Sequence, residues 1–176
     1  MGKLVGLFVG VFAVVGAALA QGAQQEPPTF ENQIVRSWKA EHDKILDMAK
    51  DFPGEKYDSR PHADARSFLE EMRHVTIGLE MCTAQLLGTP FDYAARSKAD
   101  QAKPKTRESL VSEMEAAMKA SFEAVEKNPS PRLLFWLSHQ SEHYGKLVAI
   151  YRMSNLVPPQ TRAQQERLRQ RQQQNP

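Results

Sequence analysis

Apolar residues recur at three- and four-residue steps in four separate stretches of the chain. Across residues 31–52, Ile34, Trp38, Ile45, Ala49 and Phe52 share one stripe of a 3.6-residue helix, and Pro53-Gly54 stops it. Ser67-Phe68-Leu69-Glu70 has the Ser-x-x-Glu form of a capping box and predicts a second helix, ended near residue 87 by Gly88. Its main stripe is Phe68, Met72, Val75, Leu79 and Leu86. A third helix is predicted over 106–127, with Leu110, Met114, Ala117, Ser121 and Val125 facing inward. Ser130-Pro131 supplies an N-cap followed by proline at a first helical position, opening a fourth helix that stops ahead of Pro158-Pro159.

No run of alternating apolar residues argues for a strand. The expected class is therefore all-α: a four-helix bundle over residues 30–159, with a long connection between helices 2 and 3, "GTPFDYAARSKADQAKP".

The flanks differ from this pattern. "MGKLVGLFVGVFAVVGAALA" carries one early lysine, a long apolar run and the small-x-small ending Ala18-Leu19-Ala20, so residues 1–20 read as a cleaved signal peptide. An uncleaved membrane anchor is the rival reading, because the run is almost long enough to span a bilayer. Residues 21–29 form a polar leader, and the protein is expected to be exported, periplasmic or secreted. Residues 160–176, rich in Gln and Arg, have almost nothing apolar to bury and read as a disordered tail, with a few turns of helix as the second choice.

Composition narrows the partners. The chain of 176 residues suits one domain, and its 23 basic against 21 acidic residues make no electrostatic case for nucleic acid. The expected partner is a small-molecule substrate, with no membrane contact after signal cleavage; a homodimer is compatible with the pattern. Cys82 is the single cysteine, so no disulfide can form within the chain despite export, and a metal is the remaining candidate staple.

The candidate chemistry lies in "SHQSEHYGKL". His139 and His143, four residues apart, sit one turn apart on one helix face, where two imidazoles can reach one ion. That face also carries Trp136, Leu147 and Ile150, so it points into the bundle, where imidazoles need partners. Two imidazoles are too few for a stable aqueous site. His74 lies on a second, smaller apolar face of helix two with Ile77, Gly78 and Met81, His42 falls between Trp38 and Ile45, and His62 sits in a loop and reads as exposed. Periodicity alone does not choose among them.

"YDSRPHADARSFLEEMRHV", "MCTAQLLG" and "LSHQSEHYGKLVAIYRMSNLVPP" together resemble the DinB-like superfamily, whose members include thiol-dependent S-transferases and maleylpyruvate isomerases. The resemblance spans residues 30–159, and its most specific part is the ending H-x-x-x-H-Y-G-x-L, Y-R, V-P-P. It implies a four-helix bundle in which one divalent metal is held by a helix-two histidine and an HxxxH pair on helix four: His74, His139 and His143. The sequence departs from the family where an acidic motif often follows the helix-two histidine. Here Thr76-Ile77 stands instead, removing a carboxylate that could orient His74, and neither Glu142 nor Asp43 replaces it.

Three neutral imidazoles leave a zinc, nickel or iron ion at least one open position. The resemblance favours metal-dependent transfer of a thiol to a small electrophile; metal-hydroxide hydrolysis and a non-catalytic metal-binding or stress-related bundle are the alternatives. Cys82, about 12 Å along the helix from His74, reads as a buried structural thiol. Ser138 and Ser141 point off the histidine face, and Arg152 lies opposite it. Tyr144 and Lys146 are candidates for the mouth of the site, set against interface packing and a solvated cation.

Overall fold

The computed structural model describes residues 29–174, and the expected signal peptide and almost all of the leader lie outside these. Six helices and no strand occur among the described residues: α1 (Phe30–Asp51), α2 (Phe68–Leu87), α3 (Tyr93–Gln101), α4 (Arg107–Lys127), α5 (Leu133–Met153) and α6 (Pro159–Gln174). None of these helices is long and apolar enough to cross a membrane.

Local chemistry sets the ends of the helices. Thr29 caps α1 by accepting from the Asn32 N–H at 3.2 Å, and Phe52 turns extended ahead of Pro53. The capping box on α2 is complete: Ser67 accepts from the Glu70 N–H at 3.3 Å while the Glu70 carboxylate accepts from the Ser67 N–H at 2.7 Å. Gly88 then closes α2 at φ 66°, a left-handed conformation that costs glycine little. Asn155 does the same after α5 at φ 59°, and the Leu156 N–H returns to the Tyr151 carbonyl at 2.9 Å.

The four long helices α1, α2, α4 and α5 enclose one core, α1 and α2 each packing on both α4 and α5. Trp38, Ile45, Met48, Phe52, Phe68, Met72, Leu79, Met114, Leu147 and Tyr151 are completely buried. At one end Phe52 stacks on Phe68 with centroids 3.8 Å apart, and Tyr151 meets Phe52 edge-on at 4.9 Å. Two of the buried polar tips are satisfied by hydrogen bonds, Trp38 Nε1 donating to Ser121 Oγ at 3.0 Å and the Tyr151 hydroxyl to the Met48 carbonyl at 3.1 Å.

Three expectations need correction. The connection after helix two is not continuous loop, because α3 lies within it. Asp92 caps α3 through the Ala95 N–H at 2.9 Å, and Arg96 grips Glu80 of α2 with two bonds of 2.6 and 2.9 Å. Buried Arg73 adds bonds to the Asp100 carbonyl and to the chain at Lys103 and Pro104. Ion pairs rather than an apolar stripe hold this segment, so hydrophobic periodicity could not find it.

The second correction concerns the start of α5, at Leu133 rather than Pro131. Ser130 and Pro131 make a tight turn whose carbonyls accept from Leu133 and Leu134 at 3.0 Å each. The third concerns the tail. Residues 159–174 form α6 instead of disordered chain, although α6 buries no residue. Proline at its first position and a run of good helix formers supply the helix, and Arg162 ties it to Asp51 at 2.6 Å.

Candidate metal centre

α2 and α5 pack antiparallel, so that contacts rise along one as they fall along the other: Glu71 meets His143, Gly78 faces His139 and Gln140, and Gln85 bonds Trp136. At Gly78 a side-chain Cβ would meet Gln140 Nε2 at 3.5 Å and His139 Cε1 at 3.7 Å, so the bare glycine leaves room between the helices. Into this seam project His74 from α2 and His139 and His143 from α5.

One ligand nitrogen from each of the three histidines lies within 4.8 Å of the others. The Nε2 atoms of His139 and His143 are 3.1 Å apart. Two imidazole nitrogens on one tetrahedral zinc, at 2.0–2.1 Å from the ion, would be separated by about 3.3 Å, so the spacing fits a shared cation. His74 faces the pair with its ring centroid 4.7 Å from that of His143 and 5.7 Å from that of His139.

The outer nitrogens decide which atoms remain for a ligand. His143 Nδ1 lies 2.5 Å from Glu71 Oε1, and both residues are buried. An ionised carboxylate only accepts, so the bond takes the hydrogen on His143 Nδ1, and Nε2 is the ring nitrogen left facing the cluster. Burial pushes the Glu71 carboxyl up, but the hydrogen bond and charge of His143, with Lys146 and Arg66, outweigh it and hold its pKa below the ordinary value. His74 Nδ1 lies 2.9 Å from the Tyr93 hydroxyl at the start of α3, which can accept its hydrogen and free Nε2. His139 Nδ1 is buried with no partner.

Two of the rings are kept uncharged. The His74 pKa is lowered to about 4 by burial first, then by the positive charges of Arg66 and His143. Burial first, then His143, also lowers that of His139. Imidazoles that stay neutral at pH 7 are ready to bind a cation without first losing a proton.

His42 is not part of this group. It is 1% exposed between Trp38 and Phe122, its Nδ1 lies 2.7 Å from the Trp38 carbonyl, and burial lowers its pKa to about 4. His62 is exposed, as expected. Tyr144 faces away from the site, with Lys44 stacked over its ring at 4.3 Å, whereas Lys146 reaches within 3.9 Å of Glu71. Cys82 is fully buried and its thiol pKa is pushed up to about 12, which makes it inert.

A cleft of about 610 Å³ opens beside His74, lined by Arg66, Arg73, Ile77 and Tyr93 among others. Arg66, Glu71 and Tyr93 were not singled out from the sequence. Glu71 had a legible signal, since it lies three residues before His74 and so shares that face of α2. Residues 26–146 match the DinB family.

The chain belongs to the DinB family.

No curated protein and no solved structure matches the chain significantly. The DinB family match covers α1 to α4 and reaches into α5 past both of its histidines, so the whole histidine group lies inside the matched region.

Proposed function

We propose that this DinB-family chain is an exported four-helix bundle, interrupted by α3, that binds one divalent cation through His74, His139 and His143 and uses it to transfer a thiol to a small electrophile. The observation that carries the reading is the group itself: three histidines from two helices, each offering a nitrogen within 4.8 Å of the others, beside an open cleft. Zinc, nickel or iron held there supplies Lewis acidity, which turns a thiol into its thiolate near neutral pH and activates water in the same way.

The chain's own residues prepare the site. Glu71 holds the His143 hydrogen at Nδ1 and so keeps Nε2 directed into the seam. Tyr93 steadies His74 from α3, and α3 is itself clamped to α2 by Arg96 and Arg73. Burial with the nearby Arg66 charge keeps His74 neutral. The cleft beside His74 gives a small molecule access from one side, while the buried α2–α5 seam excludes water from the other.

Hydrolysis of the electrophile is the second reading, favoured by the burial of the single cysteine, which leaves the chain without a thiol of its own to carry a group. The test begins with elemental analysis of the untagged protein, expected to give one metal per chain. Chlorodinitrobenzene with and without glutathione, and p-nitrophenyl acetate without thiol, then separate the activities. Thiol-dependent product supports transfer, thiol-independent ester cleavage supports hydrolysis, and stoichiometric metal with neither supports a binding protein. Absence of metal from every preparation refutes the centre.

A further inference from the structure

The seam that holds the histidines is chemically lopsided along its length. Following α5, Phe135 precedes His139 by one turn, His143 follows by one more, and Lys146 lies three residues beyond it. α2 runs the other way and brings Arg66 to the Lys146 end, where both cations reach Glu71, at 3.4 Å and 3.9 Å respectively. One end of the site is therefore cationic and the other aromatic.

At the cationic end the charges do not balance. Arg66 and Lys146 contribute two positive charges, and Glu71 is the one carboxylate that either reaches within ion-pair distance among the described residues. Glu71 is also committed to His143 at 2.5 Å. Asp64 lies on the same cleft, but its side chain is 93% exposed and its recorded partner is His62. Glu142 is exposed. A divalent cation held by the three histidines would add to the excess. Between Arg66 and Lys146, above Glu71, lies a cleft of about 410 Å³, large enough for a carboxylate with a few attached atoms.

At the aromatic end Phe135 is 68% exposed, the most exposed large apolar side chain among the described residues. Its ring lies nearly parallel to that of His139, 20° between planes and 6.5 Å between centroids. Tyr93, 38% exposed, stands 6.3 Å from His74 on the α3 side. These rings add nothing to the core. They offer an apolar surface next to the ligand position, which a substrate body can cover.

We propose that the site takes an organic anion with an extended apolar or aromatic body, its acidic group held between Arg66 and Lys146 and its body reaching along the seam toward Phe135, eleven residues or about 16 Å of helix rise away. This rests on the metal reading above and names the substrate class for it. An acid of this kind would be recognised by the chain's own residues at both ends, with its middle passing the three histidines.

The test uses the full chain loaded with cobalt(II), whose visible absorption reports ligands near the ion, titrated with 6-phenylhexanoate, acetate and 6-phenylhexanamide at fixed ionic strength. 6-Phenylhexanoate is expected to bind at least tenfold tighter than acetate, which lacks the body, and than the amide, which lacks the charge. Arg66→Met with Lys146→Met should erase the preference for the acid over the amide. Phe135→Ala should bring 6-phenylhexanoate toward the level of acetate, and Lys39→Met, on α1, should change nothing. If cobalt is bound through histidine but the three probes bind alike, or the double variant keeps the charge preference because the carboxylate sits on the metal alone, the substrate proposal is overturned and the metal reading survives. If the wild-type chain takes up no cobalt, both fall.

Discussion

Replacing Glu71 tests how much of the proposed metal centre depends on a residue other than the three histidines. Glu71 and His143 are 2% and 3% exposed, and their 2.5 Å bond joins an ionised acceptor to the Nδ1 hydrogen of a ring whose other nitrogen faces the cluster. Hydrogen bonds to charged groups contribute about 1.5–3 kcal/mol, and partners of this kind alter metal affinity by roughly 10- to 100-fold, about 1.4–2.7 kcal/mol. Glu71→Gln keeps an oxygen that can accept from Nδ1 but removes the charge, so it belongs near the tenfold end. Glu71→Leu leaves the Nδ1 hydrogen unsatisfied and the ring free to turn, so it belongs near the hundredfold end. Competition with a chromophoric chelator at pH 7.5 measures both, with circular dichroism to confirm the helical fold. Nitrogen-15 spectra of the metal-free protein give an independent readout, since wild-type His143 should carry its hydrogen on Nδ1. Affinities of both folded variants within threefold of wild type would refute the orienting role.

Other outcomes follow from other parts of the chain. The His42 pKa, lowered from 6.5 to about 4 by burial, is a stability contribution present above pH 6.5 and lost as pH falls toward 4. Linkage gives a loss of about 2 kcal/mol between pH 7.5 and pH 5, so urea unfolding of wild type and His42→Gln should converge by that amount on acidification; parallel curves would contradict it. Truncation before Pro159 should lower the melting temperature by no more than a few degrees, because α6 buries no residue and is held by exposed contacts such as Arg162–Asp51. Mass spectrometry of the protein from its native host should find Gln21 at its N-terminus if the proposed export signal is cleaved, and retention of residues 1–20 would indicate an anchored protein instead.

The helices that were legible in the sequence are those that bury an apolar stripe or carry their own caps. Ser67 with Glu70 announced α2 because both halves of the box are local, and Trp38, Ile45 and Phe52 announced α1 because all three face the same core. His139 and His143 were legible for a similar reason, since an i, i+4 pair needs one helix only. What was not legible depends on partners distant in sequence. α3 is held by Arg96 on Glu80 and Arg73 on Asp100, separations of 16 and 27 residues that no periodicity encodes. The Glu71–His143 bond spans 72 residues, so the carboxylate sought after His74 stood instead three residues before it and acted on a different histidine. His74 itself came from family resemblance, and the structure places it in the group that the helical pattern alone left open.

Gly78 tests whether the spacing of α2 and α5, rather than the ligands alone, sets the centre. Inside a helix glycine costs roughly 0.5–1 kcal/mol relative to alanine, so its presence in mid-α2 calls for a reason. The added Cβ of Gly78→Ala would lie 3.5 Å from Gln140 Nε2 and 3.7 Å from His139 Cε1, ordinary contact distances that require no movement of α5. Alanine should therefore raise stability by about 0.5–1 kcal/mol in urea unfolding and leave metal affinity within a factor of about two. Leucine has no such room. Its branches must enter the space occupied by Gln140 and His139, pushing α5 away and moving two of the three ligand nitrogens from the third, and overpacking of this kind costs typically 1–3 kcal/mol. The two variants should thus separate, alanine more stable with metal binding intact and leucine less stable with metal binding lost. If leucine kept wild-type affinity, the seam would be yielding enough to re-form the centre around it, and close approach at Gly78 would not be what holds the three histidines together.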